Sequence, residues 1–118
     1  MKLEELEIYQ LAMNLGDEIW DSVIKWEYFE KNGLGKQLTN ASDSLGANIS
    51  EGYGRLSPKE NRRFCFIARG SLYETLTWLE KANERGLLDN EKFEDLHKKI
   101  NDLKVRLWNY IQALEKRL

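Results

Sequence analysis

The 118-residue sequence is poor in the residues that punctuate or cross-link a chain, with one proline, one cysteine and one histidine. A lone Cys65 cannot form an internal disulfide, which points to a reducing compartment. A single proline, Pro58, leaves long stretches free to run as uninterrupted helix. One histidine excludes the paired Glu-x-x-His motifs that build metal centres in helical bundles. No apolar run approaches the roughly 18 residues needed to cross a bilayer, so no membrane partner is expected. The opening MKLEELEIYQ lacks the basic and apolar regions of a secretory leader, and a cytoplasmic protein is expected. Strong basicity is missing too. The net charge is −2, far from the high pI that marks many nucleic-acid binders. That near-neutrality hides an asymmetry, because residues 1–30 carry −6 and the rest of the chain is weakly basic.

What is present is helical periodicity. Ile8, Leu11, Ala12, Leu15, Ile19 and Val23 recur at spacings of three and four, predicting a helix over about 4–30. Asn32 to Gly35 read as the break after it. Leu34, Leu38, Ala41, Leu45, Ile49 and Gly52 predict a second helix over 35–53. Ser57-Pro58-Lys59-Glu60 combines a capping Ser, a first-turn Pro and a Glu placed for a capping box. The third helix, 58–85, carries the stripe Phe64, Ile67, Ala68, Ser71, Leu72, Thr75, Leu79 and Ala82. A fourth, 90–117, opens after Asp89, with Leu88 and Phe93 spaced as a hydrophobic staple, and keeps one stripe from Phe93 through Ile111 to Leu118. The whole chain, 1–118, reads as one all-α domain: an antiparallel up-down-up-down four-helix bundle about 40 Å long.

Two helices have more apolar surface than one core stripe uses. Tyr9, Met13, Gly16, Trp20 and Ile24 form a second line on helix 1, and Phe66, Gly70, Tyr73 and Thr77 do so on helix 3. Aromatic residues and Met at low local charge are the composition of subunit interfaces, so a homo-oligomer is expected. Helix 4 reads as an ordinary one-stripe helix.

Catalytic constellations are scarce. Glu94 and His97 lie off the core face of helix 4 and read as a solvated pair. Cys65, between Phe64 and Phe66, reads as packing and not as a nucleophile. Gly52-Tyr53-Gly54-Arg55 lacks the Lys-Ser/Thr of a phosphate loop. Glu51 and Glu74 are too few for a magnesium cluster. No enzyme, cofactor or metal is expected.

The segment ANISEGYGR (47–55) is odd for a helix, since each interior Gly costs roughly 1 kcal/mol relative to Ala. Asn48 and Glu51 sit on one edge of helix 2, and Arg69, Ser71 and Glu74 lie on helix 3. An Arg reaching a Glu across two helices makes a charge-assisted bond. The group therefore reads either as a polar clasp fixing helix register or as a surface that grips a partner. Gly52 is expected to face the core and let helices 2 and 3 pack closely. Arg55, Lys59, Arg62 and Arg63 cluster at the helix 2–3 turn, with Arg69 beyond. Tyr53 and Phe66 nearby offer stacking surfaces, which makes RNA or DNA a candidate partner.

QLTNASDSLGANISEGYGR followed by RRFCFIARGSLYETLTWLEKA resembles the four-helix bundle family of 23S rRNA intervening-sequence proteins. The matching positions are Ala41, Ser44, Asn48, Ile49, Glu51, Gly52, Phe64, Ala68, Arg69, Gly70, Ser71 and Glu74, and the early LEIYQLA is similar to the family's first helix. The resemblance implies an all-α bundle that assembles as a ring-like homopentamer, with no established enzymatic activity. A related branch is the accessory protein of diversity-generating retroelements, which pairs with a reverse transcriptase and nucleic acid; that branch is strongly basic, unlike this chain. The functional expectation is a non-enzymatic oligomeric interaction module, RNA-associated, with a protein-binding scaffold as the alternative.

Overall fold

The computed structural model describes residues 1–118 and is all helix, with no strand. A 3₁₀ turn at Leu3–Glu5 precedes α1 (Glu7–Val23). An α-turn (Tyr28–Glu30) and a π-turn (Lys31–Gly35) lead directly into α2 (Lys36–Gly54), followed by α3 (Pro58–Glu84) and α4 (Asn90–Glu115). Helix α1 packs on α2 and α4, and α3 packs on the same two from the other side. The body measures 46 × 22 × 21 Å, close to the length the sequence predicts. No helix is long and apolar enough to cross a membrane.

The first helix ends sooner than its periodicity suggests. The chain reverses at residues 24–27, where the Trp26 N–H bonds the Val23 carbonyl at 3.0 Å and Glu27 turns extended. Asn32 to Gly35, predicted as the break, is helical instead. The reason is space. A Cβ on Gly35 would lie 2.7 Å from Val23 Cγ1, 3.1 Å from the Glu30 carbonyl oxygen and 3.3 Å from the Trp26 ring. Gly35 thus serves a close approach between the end of α1 and the start of α2, not a turn. Asn32 Nδ2 donates to the Tyr28 carbonyl at 2.9 Å, giving that carbonyl a partner within the widened turn.

The other boundaries follow local chemistry. Ser57 Oγ accepts the Glu60 N–H at 3.3 Å, with Pro58 in the first turn. The capping box stays half-made, because the Glu60 carboxylate turns to Arg63 and not back to Ser57. Helix α3 stops at Gly86, whose φ of +72° only glycine adopts without strain. There the Leu87 N–H reaches the Ala82 carbonyl and the Gly86 N–H reaches that of Asn83, satisfying the last carbonyls in a Schellman arrangement. Asp89 Oδ1 caps α4 by accepting the Lys92 N–H at 2.7 Å.

One core runs the length of the bundle. Leu15, Ile19, Leu45, Ile49, Leu72, Leu79, Ile100 and Leu107 are all fully buried in it. Each such side chain contributes roughly 1.5–3 kcal/mol relative to exposure. The α3 stripe holds at Ala68, Leu72, Thr75, Leu79 and Ala82 and departs from its predicted course in the first turns. Cys65 and Asn61 point inward, Phe64 is only half-buried, and Ile67 is exposed. Leu118, beyond the end of α4, is exposed rather than core.

Candidate interaction surfaces

The predicted clasp is made only in part: Asn48 and Ser71 join a hydrogen-bond chain between α2 and α3, whereas Glu51, Arg69 and Glu74 take no part in it. Arg69 and Ser71 are two positions apart, roughly 200° around a helix, so they cannot face the same neighbour. Ser71 faces α2, where its hydroxyl lies 3.1 Å from Ser44 Oγ. Asn48 Nδ2 donates to the Ser44 carbonyl at 2.9 Å and to Ser44 Oγ at 3.1 Å, completing a small hydroxyl–amide chain between the helices. Glu51 is exposed and takes Arg55 at 3.0 Å, one turn away on its own helix. Glu74 is exposed, and lies about 140° around α3 from Arg69. No set of three or more His, Cys, Asp or Glu side chains is arranged to hold a metal ion.

Gly52 does face its neighbour helix. A Cβ there would lie 2.8 Å from Asn61 Oδ1, 2.9 Å from the Asn61 carbonyl oxygen and 3.0 Å from Phe64 Cβ. Behind it, Asn61 Nδ2 donates to the Tyr110 hydroxyl at 3.0 Å, and Asn61 Oδ1 faces Cys65 Sγ at 3.6 Å. Burial pushes the Cys65 thiol up to about 12 and raises Tyr110 as well, the latter against the opposing pull of the Asn61 hydrogen bond. A thiol held protonated this way is inert as a nucleophile at neutral pH.

The basic turn is heavily self-paired. Arg63 bonds Glu60 at 3.1 Å, Arg62 pairs with Glu115 of α4, and Arg55 holds Glu51. The Arg63 hydrogen bond holds the Glu60 carboxyl below its ordinary range. Arg55 and Arg63 both lie over the Phe64 ring, at 5.1 and 4.5 Å from its centroid, and Arg62 lies 5.9 Å from that of Phe66. Among the four turn cations, only Lys59 makes no ion pair. Tyr53, the other predicted stacking surface, is half-buried against the core.

Arg69 belongs to a different surface. Its guanidinium carbon is 5.1 Å from the centroids of both Tyr73 on α3 and Trp108 on α4, and Lys104 Nζ is 5.9 Å from the Tyr73 ring. Neither cation has a carboxylate partner. Phe66, Tyr73, Val105 and Trp108 are all exposed around them. Sequence reasoning found Phe66 and Tyr73 but missed the α4 contribution. The i, i+3 pair Val105 and Trp108, off the core stripe, is the signal that marks it.

A second exposed surface lies where α1 meets α2. Met13, Trp20 and Ile24 are 43–54 % exposed, and Tyr9 is half-buried beside them. Between the two helices runs a groove of about 290 Å³ lined by Tyr9, Met13, Gly16, Asp17, Asp43 and Gly46, among others. Gly16 makes a close approach inside the chain: a Cβ there would meet Asp43 Oδ1 at 3.1 Å. Gly70, by contrast, has open space around it. Asp43 is raised above its ordinary value, first by burial and then by the nearby Asp17 charge. Neither acid has a basic partner.

Comparison with known proteins agrees with this architecture. A crystal structure of a protein of unknown function from the S23 ribosomal protein family of Bacteroides thetaiotaomicron superposes with a TM-score of 0.78. It covers 88% of this chain and 97% of its own at 21% identity, a likeness of fold. No curated protein sequence matches. The family model described as 23S rRNA-intervening sequence protein matches residues 4–109, nearly the whole four-helix unit built above, and the chain belongs to that family.

Proposed function

We propose that this protein is a non-enzymatic interaction module: an antiparallel up-down-up-down bundle whose copies assemble into a closed ring, a homopentamer by family resemblance, that serves as a scaffold for a protein partner. The observation that carries this reading is the pair of exposed aromatic faces, one on α1/α2 and one on α3/α4, on opposite sides of the bundle. Contiguous exposed apolar surface of this kind marks interaction sites in soluble proteins. Light scattering on the purified protein is expected to give a mass several times the 13.9 kDa chain. A stable single-chain mass at tens of micromolar would overturn the reading.

A second reading, association with RNA, is favoured by the turn itself, where Phe64 lies under Arg55 and Arg63 and Lys59 is free of carboxylates. Glu51, Glu60 and Glu115 offset three of the four turn charges, and for that reason the scaffold is preferred. The two part experimentally. Protein purified from its own cells at low salt is expected to carry no nuclease-sensitive mass. If such mass is present, and Arg62→Glu with Arg63→Glu removes it, the RNA reading replaces the scaffold.

A further inference from the structure

We propose that copies join head to tail, the α3/α4 face of one copy seating in the α1/α2 groove of the next, with Arg69 brought against Asp17 and Asp43. This rests on the self-assembly proposed above and specifies its seam. Three observations lead to it. The first is position. Helices α1 and α3 each pack on both α2 and α4, so the α1/α2 groove and the α3/α4 face lie on opposite sides of the molecule. A contact between two different faces on opposite sides propagates from copy to copy and closes when the rotation permits.

The second observation is charge. On the groove side Asp17 and Asp43 approach one another and neither has a cation within ion-pair distance, although nine Lys or Arg ion pairs are made elsewhere. On the opposite face Arg69 and Lys104 have only aromatic rings for company. The groove offers unpaired carboxylates where the opposite face offers unpaired cations, with Lys31 and Lys36 lining the same α1/α2 side further along, beside Trp20 and Ile24. A two-fold dimer through either face would set Arg69 near Arg69, or Asp43 near Asp43, and like charges opposed at an interface are unfavourable. The charges thus select the second copy's other face as the occupant.

The third observation is shape and residue type. Gly16 and Gly46 keep the groove floor low, with Met13 Sδ already 3.2 Å from where a Gly46 Cβ would stand. The entering face offers Tyr73, Trp108 and Arg69, the residue types that dominate binding energy at interfaces. Arg69 already lies against two rings, so less side-chain freedom remains to be lost on docking.

The test is a charge swap read by light scattering, with circular dichroism to verify helix content. Arg69→Glu and Asp43→Arg are each expected to weaken self-association about 30-fold or more, leaving single-chain mass at micromolar protein. Arg69→Glu combined with Asp43→Arg in one chain is expected to restore the wild-type mass. If wild type assembles and both single variants assemble equally well, or if the combined variant stays a single chain, the seam is wrong while self-assembly stands. If wild type is a single chain, the underlying reading fails first. Should the charge variants lose helix content, cross-linking decides. Met13→Cys with Trp108→Cys in one chain, treated with a flexible bis-maleimide, is expected to give a ladder of covalent multimers, since buried Cys65 does not react. An assembled protein that gives no ladder overturns the seam.

Discussion

Gly52→Ala is expected to lower stability by about 2–3 kcal/mol, even though alanine is the better helix former by roughly 1 kcal/mol. The new Cβ would stand 2.8 and 2.9 Å from the Asn61 side-chain and carbonyl oxygens and 3.0 Å from Phe64 Cβ. Two of these are backbone or first side-chain atoms, which cannot swing aside. Helix α3 must therefore shift outward, and overpacking of this kind costs roughly 1–3 kcal/mol. Displacing Asn61 also strains its hydrogen bond to Tyr110, and an unsatisfied buried polar group costs about 1–3 kcal/mol more. For a chain of this size the sum corresponds to a fall in melting temperature of roughly 10 °C. Gly70→Ala is the matched control. It sits mid-helix in α3 with nothing within 4 Å of its Cβ position. There the propensity gain is unopposed, and stability is expected to rise by up to about 1 kcal/mol. Both melts should be taken at one protein concentration, because self-assembly makes the melting temperature concentration-dependent. If Gly52→Ala were neutral or stabilising, the close approach of α2 and α3 would not be what keeps a glycine at that position.

These two glycines also show where the sequence is legible and where it is not. Period and composition determine which faces are buried. The inward stripes of α1, α2 and α4 follow directly from their three- and four-residue spacing, and that much of the fold needs no coordinates. What a glycine is for does not follow, since the same residue type serves three situations here. Gly86 supplies a left-handed turn, Gly52 and Gly35 allow close approaches, and Gly70 meets nothing. Gly35 therefore reads as a break in the sequence, although in the fold it lets two helices close together. The Ser-Pro-x-Glu start of α3 was clear because capping chemistry is local, complete within four residues.

The candidate sites were less legible because they depend on which neighbour each side chain meets. Reach alone would let Arg69 meet a carboxylate on α2, but its angular position turns it toward Tyr73 and Trp108. The basic turn was visible as a run of like charges, but its neutralisation was not. Glu115 lies 53 positions from Arg62 in sequence, and no local pattern links them. The aromatic surplus on α1 and α3 was visible as a second periodicity. The α4 half of that surface is hidden because Val105 and Trp108 are interleaved with Lys104 and Arg106 on a helix that reads as one-striped.

Stability is expected to fall steeply as pH rises from about 9 to 12, and Cys65 is the main reason. Its thiol is fully buried, and burial raises it from 9.0 to about 12. Below pH 9 both folded and unfolded chains keep the proton, so the site's full contribution is present. Above pH 9 the unfolded chain releases the proton while the folded chain does not, which draws the equilibrium toward unfolding. The loss stops once pH passes the folded value. A shift of this size corresponds to something on the order of 4 kcal/mol over the whole window. Tyr110, also raised by burial, acts with the same sign: its contribution is present below the ordinary tyrosine range and is lost as pH climbs through the folded value. Urea melts at half-unit steps from pH 8 to 11.5 measure the slope directly. Cys65→Ala is expected to lower stability at pH 8, through the small void it leaves, yet to flatten the slope above pH 9. Lysine and surface titrations are common to both proteins, so the difference between the two slopes isolates the thiol. A slope unchanged by Cys65→Ala would mean that solvent reaches the sulfur, opening the bundle at the point where Gly52, Asn61 and Tyr110 close it.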